Sequence, residues 1–224
     1  KGGGIMKGKS GVVFSLTTEN AAVPGCTVSN ALWESQAGSL ICFSLGADTD
    51  ISAETSPFPR LLYVDTGCMT VFTTAGEEWH VKTGQALLVP ADVPTGMKAA
   101  EDTVYLEIVQ KEDTHMNKVI KAGNVFKLAD LVPYQDGRIV NMDVVNNDHL
   151  KLAIMSFADD TGLSEHAAPG EALVLALEGK GIIGYEGQDH PIQAGETFKF
   201  DKLGRHSVKA DGPFKMALFL TLDA

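Results

Sequence analysis

Basic charge is scarce in this sequence. Eighteen Lys and Arg stand against 29 Asp and Glu, a formal net charge of −11. No basic stripe offsets that balance, which argues against a nucleic-acid partner and against docking on an anionic membrane surface. Long apolar runs are missing as well. Ala172 to Leu177 and Met216 to Leu220 are the longest, far short of the roughly 20 residues a bilayer-spanning helix needs. No basic stretch followed by an apolar one opens the chain, so secretion is not indicated, and Lys1-Gly2-Gly3-Gly4 reads as an expression remnant ahead of Met6. Cysteine is limited to Cys26, Cys42 and Cys68, an odd number in the first half, without C-x-x-C or Cys/His zinc spacing. Cys42 and Cys68 lie in apolar runs, as buried inert thiols do, and the set fits a reducing cytoplasmic setting. Nucleophile-elbow and phosphate-loop patterns are absent too.

Against these absences stands a long internal repeat. Gly11, Val13, Phe14 and Leu16 recur as Gly123, Val125, Phe126 and Leu128, an offset of 112 positions. Leu40/Leu152, Asp48/Asp160, Pro57/Pro169, Leu61/Leu173 and Gly67/Gly179 keep that offset, and Gly84/Gly195 and Lys98/Lys209 continue at 111. A period this long indicates a duplicated domain rather than a solenoid or propeller. At 224 residues the chain holds two units of about 100 residues, each large enough for its own core.

Each copy reads as short strands separated by turn residues. In the second, Lys151 to Phe157, Ala172 to Leu177, Ile182 to Tyr185, Thr197 to Phe200, His206 to Lys209 and Phe214 to Leu222 are strand candidates. In the first they are Leu40 to Leu45, Leu61 to Val64, Met69 to Thr73, Ala86 to Val89 and Val104 to Val109. Regular strand–turn spacing without helical periodicity indicates an antiparallel sandwich or barrel. The polar stretch Gln110 to Asn117 reads as a linker. The lead-ins Ser15 to Ala22 and Lys127 to Val132 fit a short helix or an extended segment equally, and periodicity does not choose.

Comparing the copies singles out two histidines. Where the second carries His166 and His206, the first carries Glu54 and Thr95. Imidazole is the commonest ligand of first-row metals, and a carboxylate adds charge and hardness. His166 and His206 with Glu171 would form a two-His, one-carboxylate set with open positions. Strict alternation along a strand turns Glu171 away from the His166 face, unless Pro169-Gly170 breaks it. Glu165 is a poorer substitute because it neighbours His166 in the chain. The competing reading makes His166 and His206 polar pocket residues hydrogen-bonded to each other or to water. His190 and His80 read as exposed turn residues, and His115 and His149 carry no constellation. In the first copy Arg60 offers bidentate carboxylate binding or an ordinary surface charge, and the absence of histidines disfavours a transition metal there.

The segment Gly162-Leu163-Ser164-Glu165-His166-Ala167-Ala168-Pro169-Gly170-Glu171-Ala172, followed by Gly179 and then by Gly195 through His206, resembles the two motifs of the cupin family. His166 falls on the first histidine of the first motif, Gly179 on its closing glycine, Gly195 on the opening glycine of the second, and His206 on its histidine. The family's second histidine is Ala168 here, its glutamate falls on Ala172 with Glu171 one place off, and its proline and asparagine are Asp201 and Ala210. The ending Ala210 to Met216 resembles that of small uncharacterised cupins, and Gly84, Pro90 and Thr95 echo the second motif in the first copy.

The resemblance implies an all-β chain of two tandem cupin domains, antiparallel barrels of jelly-roll kind. The N-terminal barrel would span residues 11–110 without the histidine motif, and the C-terminal barrel 117–224. It further implies a small polar metabolite bound around His166, Glu171 and His206, with or without a divalent transition metal on those residues. The alternative is a metal-dependent enzyme of isomerase or dioxygenase type using the same three. No cofactor is expected in the N-terminal barrel, which would serve stability or assembly. The apolar last strands suggest an interface within the chain or in a homodimer.

Overall fold

The structure is a computed structural model that describes residues 5–111 and 116–222; His115 lies outside them. In the first half the strands are β1 (Val13–Phe14), β2 (Thr27–Glu34), β3 (Gly38–Leu45), β4 (Thr49–Glu54), β5 (Arg60–Thr66), β6 (Cys68–Thr73), β7 (Glu78–Lys82), β8 (Gln85–Val89), β9 (Thr95–Ala99) and β10 (Thr103–Gln110). The second half gives β11 (Val125–Lys127), β12 (Ile139–Asn146), β13 (Leu150–Phe157), β14 (Gly162–Ala167), β15 (Ala172–Glu178), β16 (Lys180–Tyr185), β17 (Gln188–Gln193), β18 (Thr197–Phe200), β19 (Arg205–Ala210) and β20 (Phe214–Thr221). Each lead-in is partly strand and partly helix: β1 precedes a helical turn at Leu16–Glu19, and β11 a 3₁₀ turn at Leu128–Leu131.

The strands form two six-stranded and two four-stranded sheets, antiparallel throughout. Their orders are β11-β8-β5-β10-β3-β2 with β4-β9-β6-β7, and β1-β18-β15-β20-β13-β12 with β14-β19-β16-β17. Adding ten to each strand of the first pair gives the second pair, apart from the exchanged β1 and β11. Each four-stranded sheet packs face to face on a six-stranded one. Phe157, Val174, Phe198 and Met216 meet Ile183, Ile192, Val208 and Ala210 in one core. In the other half, Leu62, Val64, Leu87 and Tyr105 meet Met69, Val71, Val81 and Met97.

The expectation of closed barrels is corrected here. The sheets are open sandwiches, because β4, β7, β14 and β17 end their sheets without bonding to the six-stranded ones. Their polar sequences explain this, since exposed alternating strands such as β4 suit an edge rather than a buried seam.

Two further features tie the halves together. The lead-in strands exchange: Val13 and Phe14 pair with Phe198 and Thr197, while Val125 to Lys127 pair with Leu87 to Gln85. The outer faces of the six-stranded sheets then share a core in which Trp33, Leu40, Leu61 and Leu106 pack with Leu152, Leu173 and Phe219. Trp33 and Phe219 meet edge to face at 5.5 Å. No helix among the described residues is long and apolar enough to cross a membrane.

Candidate functional site

His166 lies on β14, directly opposite His206 on β19. A register shift between Leu163 and His166 brings the two histidines into alignment. Glu54 and Thr95 hold the same register between β4 and β9, so the contrast between the copies falls on structurally equivalent positions. The ring centroids are 4.3 Å apart, inclined at 56°.

Neither imidazole bonds the other. Each Nδ1 lies 2.9 Å from a backbone carbonyl two residues earlier, Ser164 O for His166 and Gly204 O for His206. A carbonyl only accepts, so each Nδ1 carries the proton and each Nε2 keeps its lone pair. That is the arrangement in which imidazole accepts a hydrogen bond or ligates a metal.

The two rings differ in setting. His166 is exposed, whereas His206 is buried and stacks on Phe200, 4.1 Å between centroids and 21° between planes. Burial pulls the His206 pKa below the ordinary histidine value, the Gly204 carbonyl opposes that, and His166 adds to it. A neutral His206 at neutral pH is the consequence. Beneath it Phe198, Phe200 and Tyr185 form an aromatic floor, with centroid separations of 5.2 to 5.7 Å. The pair is therefore a rim site over a filled core.

Glu171 does not join the histidines. It precedes β15, on the face that turns towards the other half, as alternation along the strand requires. Gly170 leaves no freedom to swing it inward: a Cβ there would stand 1.5 Å from the Thr221 carbonyl oxygen. The Glu171 carboxylate instead accepts from the Met6 backbone N–H at 2.7 Å and pairs with Lys199 Nζ at 2.8 Å. Glu165 is occupied by a surface ion pair with Arg205. Among the described residues no group of three or more His, Cys, Asp or Glu is placed to hold a metal ion. Two imidazoles suit a first-row metal, but they fall short of the three protein ligands usual at a catalytic centre.

Three other expectations need correction. His190 is half-buried on β17 with its ring 5.1 Å from Phe198, and His80, exposed as expected, lies on β7 rather than in a turn, with Nδ1 3.0 Å from the Thr70 hydroxyl. Both are strand residues because the turn before each strand is shorter than the polar sequence suggested. Arg60 is not a surface residue: it is 8% exposed, with Nη1 3.4 Å from Glu107. Its place at the start of β5, in register with the core residues Leu62 and Val64, turns it inward. Cys42 is buried as expected, and burial pushes its thiol up to about 12.

No family model and no curated protein matches the chain. Solved structures do. A Cupin 2 conserved barrel domain protein from Leptotrichia buccalis is 26% identical, with 96% of this chain and 99% of that one covered and a TM-score of 0.84. The putative glyoxylate-induced protein from Pseudomonas aeruginosa is 14% identical over 93% of this chain and 87% of its own, TM-score 0.63. A salicylate 1,2-dioxygenase from Pseudaminobacter salicylatoxidans is 12% identical over 93% and 83%, TM-score 0.66. The last two likenesses concern the fold alone. Taken with the two open sandwiches and the aligned histidines, the first makes this chain a member of the cupin superfamily.

Proposed function

We propose that the protein is a bicupin, with domains at residues 11–110 and 117–224, that binds a small polar metabolite at His166 and His206. The sequence repeat and the matching strand orders support the tandem reading. The observation that carries the binding reading is the pair of Nε2 lone pairs left free by the two Nδ1–carbonyl bonds. Two imidazoles whose Nδ1 atoms face carbonyls and whose ring centroids lie 4.3 Å apart would accept hydrogen bonds at Nε2 from vicinal hydroxyl or amine groups. Each such bond contributes about 0.5–1.5 kcal/mol, and Phe200 keeps water from one side of His206.

The same lone pairs support a second reading, a metal-dependent enzyme. His166 and His206 would hold the ion and the ligand would complete its coordination, since Glu171 is engaged by Lys199 and Met6. The donor count favours the first reading. A thermal-shift screen of polar metabolites, run beside metal analysis of protein purified without a histidine tag, separates the two. Binding lost in His206→Ala, with metal well below one ion per chain, supports the metabolite reading. Stoichiometric metal lost in the His166→Ala, His206→Ala double variant supports the enzyme.

A further inference from the structure

The two halves fill the space between their sheets differently. In strand register Thr73, Leu87, Val89 and Thr95 of the first half correspond to Tyr185, Phe198, Phe200 and His206 of the second. Each of the four is smaller than its counterpart, so the aromatic floor beneath His206 has no equivalent in the first half. A cavity of about 190 Å³ stands there instead, and the same four residues line it together with Glu77, Trp79 and Val93. Trp79 is the exception in size: it takes the register position of His190 and closes one wall.

The polar part of this lining offers acceptors and negative charge. Thr95 is buried, and its hydroxyl gives its proton to the Val93 carbonyl at 2.9 Å, so its oxygen is left to accept. The Thr73 hydroxyl accepts from the Glu77 backbone N–H at 3.2 Å, and the Thr73 N–H bonds the Glu77 carbonyl at 2.9 Å. Those two bonds fix the turn that carries Glu77, whose carboxylate has no ion pair among the described residues. Among the described residues no Lys, Arg or His lines the cavity, and the cross-strand neighbour of Thr95 is a further acid, Glu54. Arg60 lies cross-strand from Val89, but it does not line the cavity and its charge is met by Glu107. The local field therefore disfavours an anion and favours a cation.

We propose that the first half binds a small primary alkylammonium ion in this cavity, with Glu77 and the Thr95 oxygen receiving the ammonium protons and the alkyl body against Leu87, Val89 and Val93. An ammonium group donates and never accepts, which matches a lining whose available polar groups accept. The Trp79 indole adds an aromatic wall that attracts a cation. An alkylamine, like a lysine side chain with its pKa of about 10.4, is cationic at neutral pH. At about 30 Å³ per water-sized group the cavity takes on the order of six heavy atoms, an amine with about four or five carbons. The apolar side chains provide no partner for a second charge, so a monoamine is preferred over a diamine. This site lies in the half without the histidine pair and uses none of the Nε2 geometry.

Calorimetric titration of the full chain with butylammonium chloride tests this, with butanol, butyrate and diaminobutane as controls. Butylammonium should saturate one site per chain, and each control should bind at least about 10-fold more weakly. Glu77→Gln, an exposed change that keeps both backbone bonds to Thr73, should weaken butylammonium about 5-fold or more. Thr95→Val, which keeps the shape and removes the acceptor, should cost about 5-fold. Val89→Phe installs the ring that the second half carries as Phe200 and should abolish binding by filling the cavity. If Val89→Phe does not fold, Glu77→Gln decides. No saturable binding of butylammonium at tens of millimolar overturns the proposal. A control that matches butylammonium, full affinity in Glu77→Gln or Thr95→Val, or binding that survives in folded Val89→Phe does so too.

Discussion

His206 combines an Nδ1 tied to the Gly204 carbonyl, a stacked Phe200 and a pKa held below the ordinary value mainly by burial. The native state therefore prefers the neutral ring. As pH falls through the unfolded value, about 6.5, the unfolded chain takes up the proton before the folded one does. This residue's contribution to stability is thus full at higher pH, declines as pH falls, and levels off below the folded pKa. Urea unfolding of wild type and His206→Gln from about pH 7.5 to about pH 5 should show a steeper loss for the wild type. Parallel curves would contradict it. Gly170 offers a second test at this scale: with the Thr221 carbonyl oxygen 1.5 Å from an added Cβ, Gly170→Ala should lose more than about 2 kcal/mol, measured by chemical denaturation.

At the scale of elements, the sequence revealed the buried strands and hid the exposed ones. Val104 to Val109 and Phe214 to Leu222 are apolar because both faces of β10 and β20 are covered, and they stand out from their surroundings. β4, β7, β14 and β17 are mostly exposed and polar, so they fall outside the strand candidates read from apolar runs, although β14 carries His166. The histidine pair was legible through the repeat, since register is conserved between the copies. The buried Arg60 was not, because nothing local distinguishes an inward arginine at the start of a strand from an outward one. Nor did the sequence show the clasp of the N-terminal arm. Met6 N–H bonds Glu171, Ser10 bonds Asp201 at 2.5 Å, and Gly11 N–H bonds the Lys199 carbonyl at 3.1 Å. Glu171→Gln should leave the buried Lys199 ammonium mainly to Asp201, 3.5 Å away, and cost about 1–3 kcal/mol. Hydrogen exchange should then rise in β1. Unchanged stability and protection would mean the ion pair does not anchor the arm.

For the whole molecule, the exchange of β1 and β11 and the shared core around Trp33 and Phe219 bind the halves more closely than a linker would. A fragment of residues 116–224 would lack β1 on the edge of β18 and would expose the face built from Leu152, Leu173 and Phe219. It should aggregate or dimerise, whereas the full chain unfolds in a single transition; a stable monomeric fragment in sedimentation would contradict this. The two halves also divide their polar groups: a histidine pair at the rim of one, an arginine and a phenol inside the other.

The free Nε2 atoms of His166 and His206 are the groups that would take up the metabolite. Imidazole ¹⁵N spectra of histidine-labelled protein, assigned with His166→Ala and His206→Ala and recorded at neutral pH with and without a millimolar pool of sugars, hydroxy acids and amino acids, test this directly. Both rings should show a proton on Nδ1 and none on Nε2, and the two Nε2 resonances should move when the pool is added. A proton on Nε2 of either ring, or Nε2 resonances that stay fixed while the pool shifts signals elsewhere in the chain, would contradict the assignment of the histidine pair as the metabolite site.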